Sequence, residues 1–122
     1  MNGITGTYTG EWRNGKPHGR GGIVYSSNNP YDLVRYYGGW VDGVKQGSGT
    51  VSWRSGDSYT GSFANNEKSG RGVYTFADGM TWDVTWRFDQ PHGSGVVTYA
   101  DGEAYDAVWE YGELISISPR RP

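Results

Sequence analysis

The sequence predicts an all-β protein, a single-layer twisted antiparallel meander of stacked β-hairpins. Three observations lead there. Aromatic residues and glycines recur at a fixed period, the residues between them alternate with the period of a strand, and the composition is wrong for a compact aliphatic core. Of 122 residues only 34% are hydrophobic, yet 16% are aromatic and 21 are Gly, and the mean hydropathy is -0.73. Disordered chains share low hydropathy but are poor in aromatics. The length suits one domain.

The period is 23 residues. Tyr36, Tyr59, Trp82 and Tyr105 each open a similar stretch, and Tyr8 opens another 28 residues before Tyr36. In register the units begin Y-T-G-E-W (8–12), Y-Y-G-G-W (36–40), Y-T-G-S-F (59–63), W-D-V-T-W (82–86) and Y-D-A-V-W (105–109). Four continue to a G-x-G at Gly19/Gly21, Gly47/Gly49, Gly70/Gly72 and Gly93/Gly95, then to an aromatic at Tyr25, Trp53, Phe76 and Tyr99. A regular period of this length is the mark of a repeat array. The expected array covers residues 1–118, with an insertion at 26–35, a capping strand at 114–118 and a tail at 119–122.

Each unit reads as two strands. Seven residues after the opening aromatic stand Gly15, Gly43, Asn66, Asp89 and Gly112, residue types that tolerate a left-handed backbone, so a turn with positive φ is expected there. The second strand ends at Ser55-Gly56, Asp78-Gly79 or Asp101-Gly102, read as two-residue hairpin turns. Connections this short make neighbouring strands antiparallel. Alternation then puts Tyr8, Gly10, Trp12, Gly21, Ile23 and Tyr25 on one face and Thr9, Glu11 and Arg13 on the other, and the later units repeat the division. The glycines serve as floor on which rings of the next strand lie, and each unit leans on its neighbours.

The pattern Y-x-G-x-W-x-x-G-x-x-x-G-x-G, with an Asp-Gly turn in the later units, resembles the MORN repeat family over roughly residues 8 to 113. Residues 8–21, Y-T-G-E-W-R-N-G-K-P-H-G-R-G, match most closely. Unit four departs at Val84 and Asp89 and unit five at Ala107, and unit five has Ser116 and Ser118 where the G-x-G would fall. The resemblance implies a protein-binding or scaffolding module, in some members one associated with phosphoinositide-containing membranes. Such arrays often adjoin a lipid kinase or methyltransferase domain, and none falls within these residues.

Several functions are disfavoured by the residues themselves. There is no Cys, so a disulfide framework, a zinc-thiolate site and a cysteine nucleophile are excluded. The opening MNGITGTYTGEW has neither a basic lead nor an apolar run, so no signal peptide is expected, and no segment approaches the roughly 20 apolar residues that span a bilayer. A net charge of -2 argues against nucleic acid. These features lead to the expectation of a cytoplasmic protein, at most peripheral at a membrane. His18 and His92 occupy one slot of units one and four, six strands or roughly 29 Å apart, too far to share a metal, and a turn role is expected. Asp83, Asp106 and Glu110 fall on the polar face, where nothing separates carboxylate pKa values for acid–base work; Asp89 lies at the groove mouth. Gly19-Arg20-Gly21-Gly22 lacks the following helix of a phosphate loop. No cofactor or metal is expected.

Two surfaces remain. The aromatic groove of Tyr8, Trp12, Tyr36, Trp40, Tyr59, Phe63, Trp82, Trp86, Tyr105 and Trp109 has nothing to cover it in a one-layer sheet, and an uncovered apolar face marks an interaction surface. The leading reading is a non-enzymatic adaptor whose groove takes a protein or peptide partner or a second protomer. Lys16, Arg20, Lys45, Lys68 and Arg71 concentrate near the hairpin turns of units one to three, and the second reading is contact with anionic phospholipid along that edge. The third is a small enzyme with the groove as apolar pocket. The insertion, carrying Asn28-Asn29-Pro30-Tyr31, is a candidate for specificity, since loops that escape a repeat often carry it.

Overall fold

A computed structural model describes residues 6–120; the first five residues of the expected array and the last two of the expected tail lie outside them. Ten antiparallel strands form one open sheet in which spatial order equals chain order. They are β1 (Gly6–Arg13), β2 (Lys16–Tyr25), β3 (Leu33–Val41), β4 (Val44–Trp53), β5 (Ser58–Ala64), β6 (Glu67–Thr75), β7 (Thr81–Arg87), β8 (Gln90–Thr98), β9 (Ala104–Glu110) and β10 (Glu113–Pro119). The single-layer meander of hairpins is therefore the fold.

Two kinds of turn alternate along it. Within each unit the hairpin closes on two residues that both have positive φ: Asn14-Gly15, Asp42-Gly43, Asn65-Asn66, Phe88-Asp89 and Tyr111-Gly112. This is the type I′ turn, whose twist matches that of the strands, and the five residues expected to be left-handed all are. Phe88 and Tyr111 were not anticipated there; a side-chain-bearing residue in this region costs roughly 1–2 kcal/mol. Between units the connection differs from the expected two-residue turn. The amide of Trp53 donates to Asp57 and that of Gly56 donates back to Trp53, both at 3.0 Å, so the loop is three residues long. Of Ser55-Gly56, Asp78-Gly79 and Asp101-Gly102, only the glycines have positive φ. The aspartates stay on the ordinary side because each accepts a backbone N–H two residues on, from Met80 and Glu103 at 2.9 Å.

The hairpins do not keep simple register. Between Gly10 and Trp12 the first strand advances two residues while its partner goes from Gly21 to Pro17, and units two to four do the same opposite Lys45, Lys68 and Pro91. Two extra residues, an even number, bend the strand without exchanging its faces. Gly19, Gly47, Gly70 and Gly93 sit in this bulge with positive φ.

The bulge lets one contact repeat. The hydroxyls of Tyr8, Tyr36 and Tyr59 donate to the backbone oxygens of Glu11, Gly39 and Ser62 at 2.7, 2.9 and 2.9 Å. Each ring then covers the second glycine of its unit's G-x-G, Gly21, Gly49 or Gly72, so closely that a Cβ there would overlap the tyrosine hydroxyl and the adjoining ring carbons. Each tyrosine also meets the next unit's aromatic edge-on, in the pairs Tyr8–Trp40, Tyr36–Phe63 and Tyr59–Trp86 at 5.5, 5.2 and 5.5 Å. The indoles of Trp40 and Trp86 donate to Gly21 and Gly72 of the preceding unit. In unit four the space over Gly95 is filled by Val84 instead.

The aromatic face is consequently not bare, as the sequence had suggested. Tyr36 is 1% exposed and Tyr59 0%, because each ring is covered by its neighbours' rings. Interlocking of this kind is worth about 0.5–1.5 kcal/mol per ring pair beyond burial. The opposite face is polar, with Thr50 and Thr60 hydroxyls 3.0 Å apart.

Gly72→Ala should destabilise the array by roughly 1–3 kcal/mol, because a methyl there displaces the Tyr59 ring. Urea unfolding would measure this, and an unchanged midpoint would show that the ring has room to yield.

Candidate binding site

The insertion expected at 26–35 is organised by one side chain. Asn29 is 5% exposed; its amide nitrogen donates to the carbonyls of Ser26 and Leu33 at 2.7 and 2.9 Å, and its Oδ1 accepts the amides of Tyr31 and Leu33 at 3.2 and 2.9 Å. A buried amide with both ends satisfied locks a loop. The loop is held further by Asp32, whose carboxylate meets Arg54 at 3.2 Å. This fixes Tyr31 and Leu33 over the aromatic face of units two and three.

Beneath them is a cavity of about 380 Å³, lined by Tyr25, Tyr31, Leu33, Lys45, Val51, Trp53, Phe63, Asn66, Lys68 and Asp89. Its floor is ring and aliphatic surface, and two ammonium groups stand on it. Lys45 Nζ lies 5.9, 5.5 and 5.9 Å from the ring centres of Tyr25, Tyr36 and Trp40. Lys68 Nζ lies 5.7, 5.8 and 5.3 Å from those of Trp53, Tyr59 and Trp86. Cations over ring faces gain more as they lose water. Lys68 also has a counter-ion, Asp89 Oδ1 at 3.0 Å. Burial lowers the pKa of Lys45, an effect that Asp89 partly opposes. The Tyr25 hydroxyl is pushed up to about 12 by burial, with Tyr36 adding to the shift.

The ten groove residues separate by depth. Tyr36, Trp40, Tyr59, Phe63, Trp86 and Trp109 are buried in the interlocked face; Tyr8, Trp82 and Tyr105 are half-buried. Trp12, on β1 with no described strand before it, is 58% exposed. Of these ten, only Phe63 borders the cavity. The other walls, Tyr25, Tyr31, Leu33, Val51 and Trp53, belong to strand ends and to the insertion, outside the aromatic motif that opens each unit.

The five basic residues do not form one edge. Lys45 and Lys68 lie on the aromatic face. Arg20 and Arg71 lie on the polar face, where Arg20 donates to the Ser48 carbonyl at 3.1 Å and Arg71 pairs with Asp83 at 2.9 Å. Lys16 stands on β2 beside the turn at Gly43. Parity already separates them: Lys45 shares an odd register with Gly49 and Val51, and Lys68 an even one with Gly72 and Tyr74. The histidines serve turns. His18 Nδ1 accepts the Asp42 amide at 3.3 Å and His92 Nδ1 the Tyr111 amide at 3.0 Å, and Gln46, in the same slot of unit two, accepts the Asn65 amide at 3.1 Å. Among the described residues no three His, Cys, Asp or Glu gather as a metal site would require, and no helix is long and apolar enough to cross a membrane.

An open array of β-hairpin repeats, bearing a cationic cavity on its aromatic face, is the class of protein defined here. The family model described as MORN repeat matches residues 8–29, 36–58, 59–81 and 85–104, well over half the chain. The chain belongs to the MORN repeat family. The fourth match begins at Thr85, past the divergent Trp82-Asp83-Val84, and the second begins after the insertion. MORN repeats are in general protein- or membrane-binding modules.

Asn29→Ala should cost about 1–3 kcal/mol, the usual effect of stranding buried hydrogen-bonding groups, and should speed hydrogen exchange at the Tyr31 and Leu33 amides. Unchanged exchange would mean that the loop is held by other contacts. Alkali should also weaken the fold. Burial pushes Tyr36 up to about 12, while an unfolded tyrosine titrates near 10. Between these values the folded state binds more protons, so stability is full below about pH 10 and falls as pH rises toward about 12. Tyr36→Phe should lose about 1 kcal/mol at neutral pH with the Gly39 bond and flatten the alkaline fall. Urea midpoints across a pH series would decide, and a wild-type profile flat over that window would count against the buried-tyrosine account.

Proposed function

We propose that this array is a non-catalytic binding and scaffolding module that receives a segment of a partner protein in the cavity between the insertion and units two and three. The observation that supports this reading is selective closure. The aromatic side chains cover one another along the sheet, yet beneath Tyr31 and Leu33 they leave an apolar hollow with two ammonium groups over its ring floor. Sites that take ligands combine concave apolar lining with a few placed polar groups, and Tyr and Trp are the side chains that most often anchor partners. Tyr31 is 62% exposed, and Asn29 Oδ1 holds its backbone amide at 3.2 Å, so the loop that presents it is already fixed.

The lipid reading has less support, since its five cations are divided between two faces and two of them are drawn into the cavity. Self-association through the exposed Trp12 edge or the exposed Leu114, Ile115 and Ile117 of β10 uses surfaces away from the cavity. Asp89 offers little to a catalytic reading, because Lys68 engages its Oδ1 through both the ammonium and the backbone amide.

Peptides selected from a displayed random library against the whole chain should weaken roughly tenfold or more on Tyr31→Ala with Trp53→Ala, while Thr60→Ala on the polar face changes nothing. Circular dichroism would confirm that the sheet persists. Equal affinity for the double variant and the wild type would rule the cavity out, and co-sedimentation with anionic vesicles in place of peptide binding would favour the lipid reading.

A further inference from the structure

Repeat symmetry exposes a missing charge. Lys45 and Lys68 fill the same slot of units two and three, nine residues after Tyr36 and Tyr59. Each stands over three rings. Each also exchanges backbone bonds with the turn of the following unit: the Lys68 amide donates to Asp89 Oδ1 at 2.8 Å and the Asp89 amide to the Lys68 carbonyl at 3.1 Å. For Lys45 the same two bonds run to Asn66, at 2.9 and 3.1 Å. In residue type one ring differs, Tyr25 under Lys45 and Trp53 under Lys68, and the turn residue differs in one functional group. Where Lys68 finds a carboxylate, Lys45 finds an amide, and among the described residues its ammonium has no hydrogen-bond or ion-pair partner.

A second observation concerns the same wall. Tyr25, 6% exposed, carries the one buried side-chain polar atom among the described residues that lacks a hydrogen-bond partner, its hydroxyl. Its ring is one of the three beneath Lys45, and both residues border the cavity. The lining holds two ammonium groups and a single carboxylate, an excess of one positive charge. Ring faces offset part of the cost of desolvating an ammonium but pairing with an anion offsets more, and a buried hydroxyl favours an acceptor.

We propose that the cavity is a carboxylate-binding site in which Lys45 takes a carboxylate borne by a partner peptide, while Tyr31, Leu33, Val51, Trp53 and Phe63 hold the apolar portion beside it. This rests on the cavity being the partner site and adds the chemistry of what enters. The volume, about 380 Å³, suits an amino-acid residue better than a bare ion. Carboxylate rather than phosphate follows from the charge balance, because a lone ammonium over rings matches one negative charge and a dianion would leave the second unmet. Asn66 is what keeps the site vacant of an internal anion: an aspartate there would reproduce the Lys68–Asp89 pair and compete with the ligand.

The test titrates the full chain with N-acetyl-leucine, N-acetyl-leucinamide and N-acetyl-glutamate α-amide, whose side-chain carboxylate is free, following indole and Lys45 side-chain resonances by nuclear magnetic resonance. The acid should shift the Trp53 and Lys45 signals saturably and the leucinamide should bind roughly tenfold more weakly or worse. A response to N-acetyl-leucine marks a C-terminal carboxylate and a response to the glutamate derivative marks an acidic side chain; either supports the site. Lys45→Met and Asn66→Asp should each remove the preference for acid over amide. Asn66→Asp preserves the side-chain Oδ1 that accepts the lysine amide, as Asp89 does one unit later, so it keeps the fold, and it should raise the Lys45 pKa. Equal response to acid and amide, no response to any probe, or an Asn66→Asp protein that binds acid as before would overturn the proposal. Library peptides that still depend on Tyr31 and Trp53 but not on Lys45 would sink the carboxylate anchor alone, whereas dependence on none of the three would sink the cavity as well.

Discussion

Tyr36 and Tyr59 have almost no exposed surface although they belong to a sheet one layer thick, and the means is a glycine opposite each ring. A single sheet has no second layer against which to bury an apolar face, so it must bury that face against itself. The tyrosine leans over the bare backbone of Gly49 or Gly72, anchors its hydroxyl three residues on, and presents an edge to the next unit's Trp or Phe. Two glycines facing each other across the strands, as at Gly38/Gly49 and Gly61/Gly72, leave the depth that one ring needs. The bulge, the indole bond to the preceding unit and the edge-on ring contacts all presuppose that ring in that place.

Departures within the chain show that the constraint is on filled volume. Unit four opens with Trp82, carries Val84 where units one to three have glycine, and buries Val84 completely over Gly95. A branched aliphatic side chain rooted in the sheet fills the space otherwise reached by a ring from two residues away. Ala107 of unit five is likewise buried, and there Tyr105 turns its hydroxyl toward Glu103 rather than to a backbone oxygen three residues on. Ring and glycine, or valine and glycine, are alternative packings of one cell, which is how an array tolerates an irregular unit so long as each interface is filled.

Much of this was legible because repeats report the same environment several times. Gly15, Gly43, Asn66, Asp89 and Gly112 share only their tolerance of positive φ, and five instances identify what one could not. What the repeat could not report was depth. Alternation assigns Tyr59 to a face without saying that neighbouring rings close over it, so from alternation alone the groove is expected to be open. Nor does local turn chemistry separate a two-residue loop from a three-residue one, since Asp-Gly suits both and the choice falls to the Asp side chain, which caps the amide two residues on. The clustering of charge points Lys45 and Lys68 to an edge, whereas their parity puts them on the aromatic face. Lysine can lay its stem along apolar surface while its head finds rings or anions, so in this sheet the register is the better guide.

The cavity exists where the repeat is broken. A uniform array would close its aromatic face at every unit, leaving little for a partner to enter. The insertion before β3 costs little loop entropy, since closure rises only slowly with length, and its Asn29 amide converts that freedom into a fixed position for Tyr31 and Leu33. The cation below them follows the same logic, for Lys68 has the repeat's own counter-ion and Lys45, one unit closer to the insertion, does not. Two deviations, one of length and one of a single functional group, fall on the same hollow. Both deviations leave the repeat's own rule incomplete at the hollow between the insertion and units two and three.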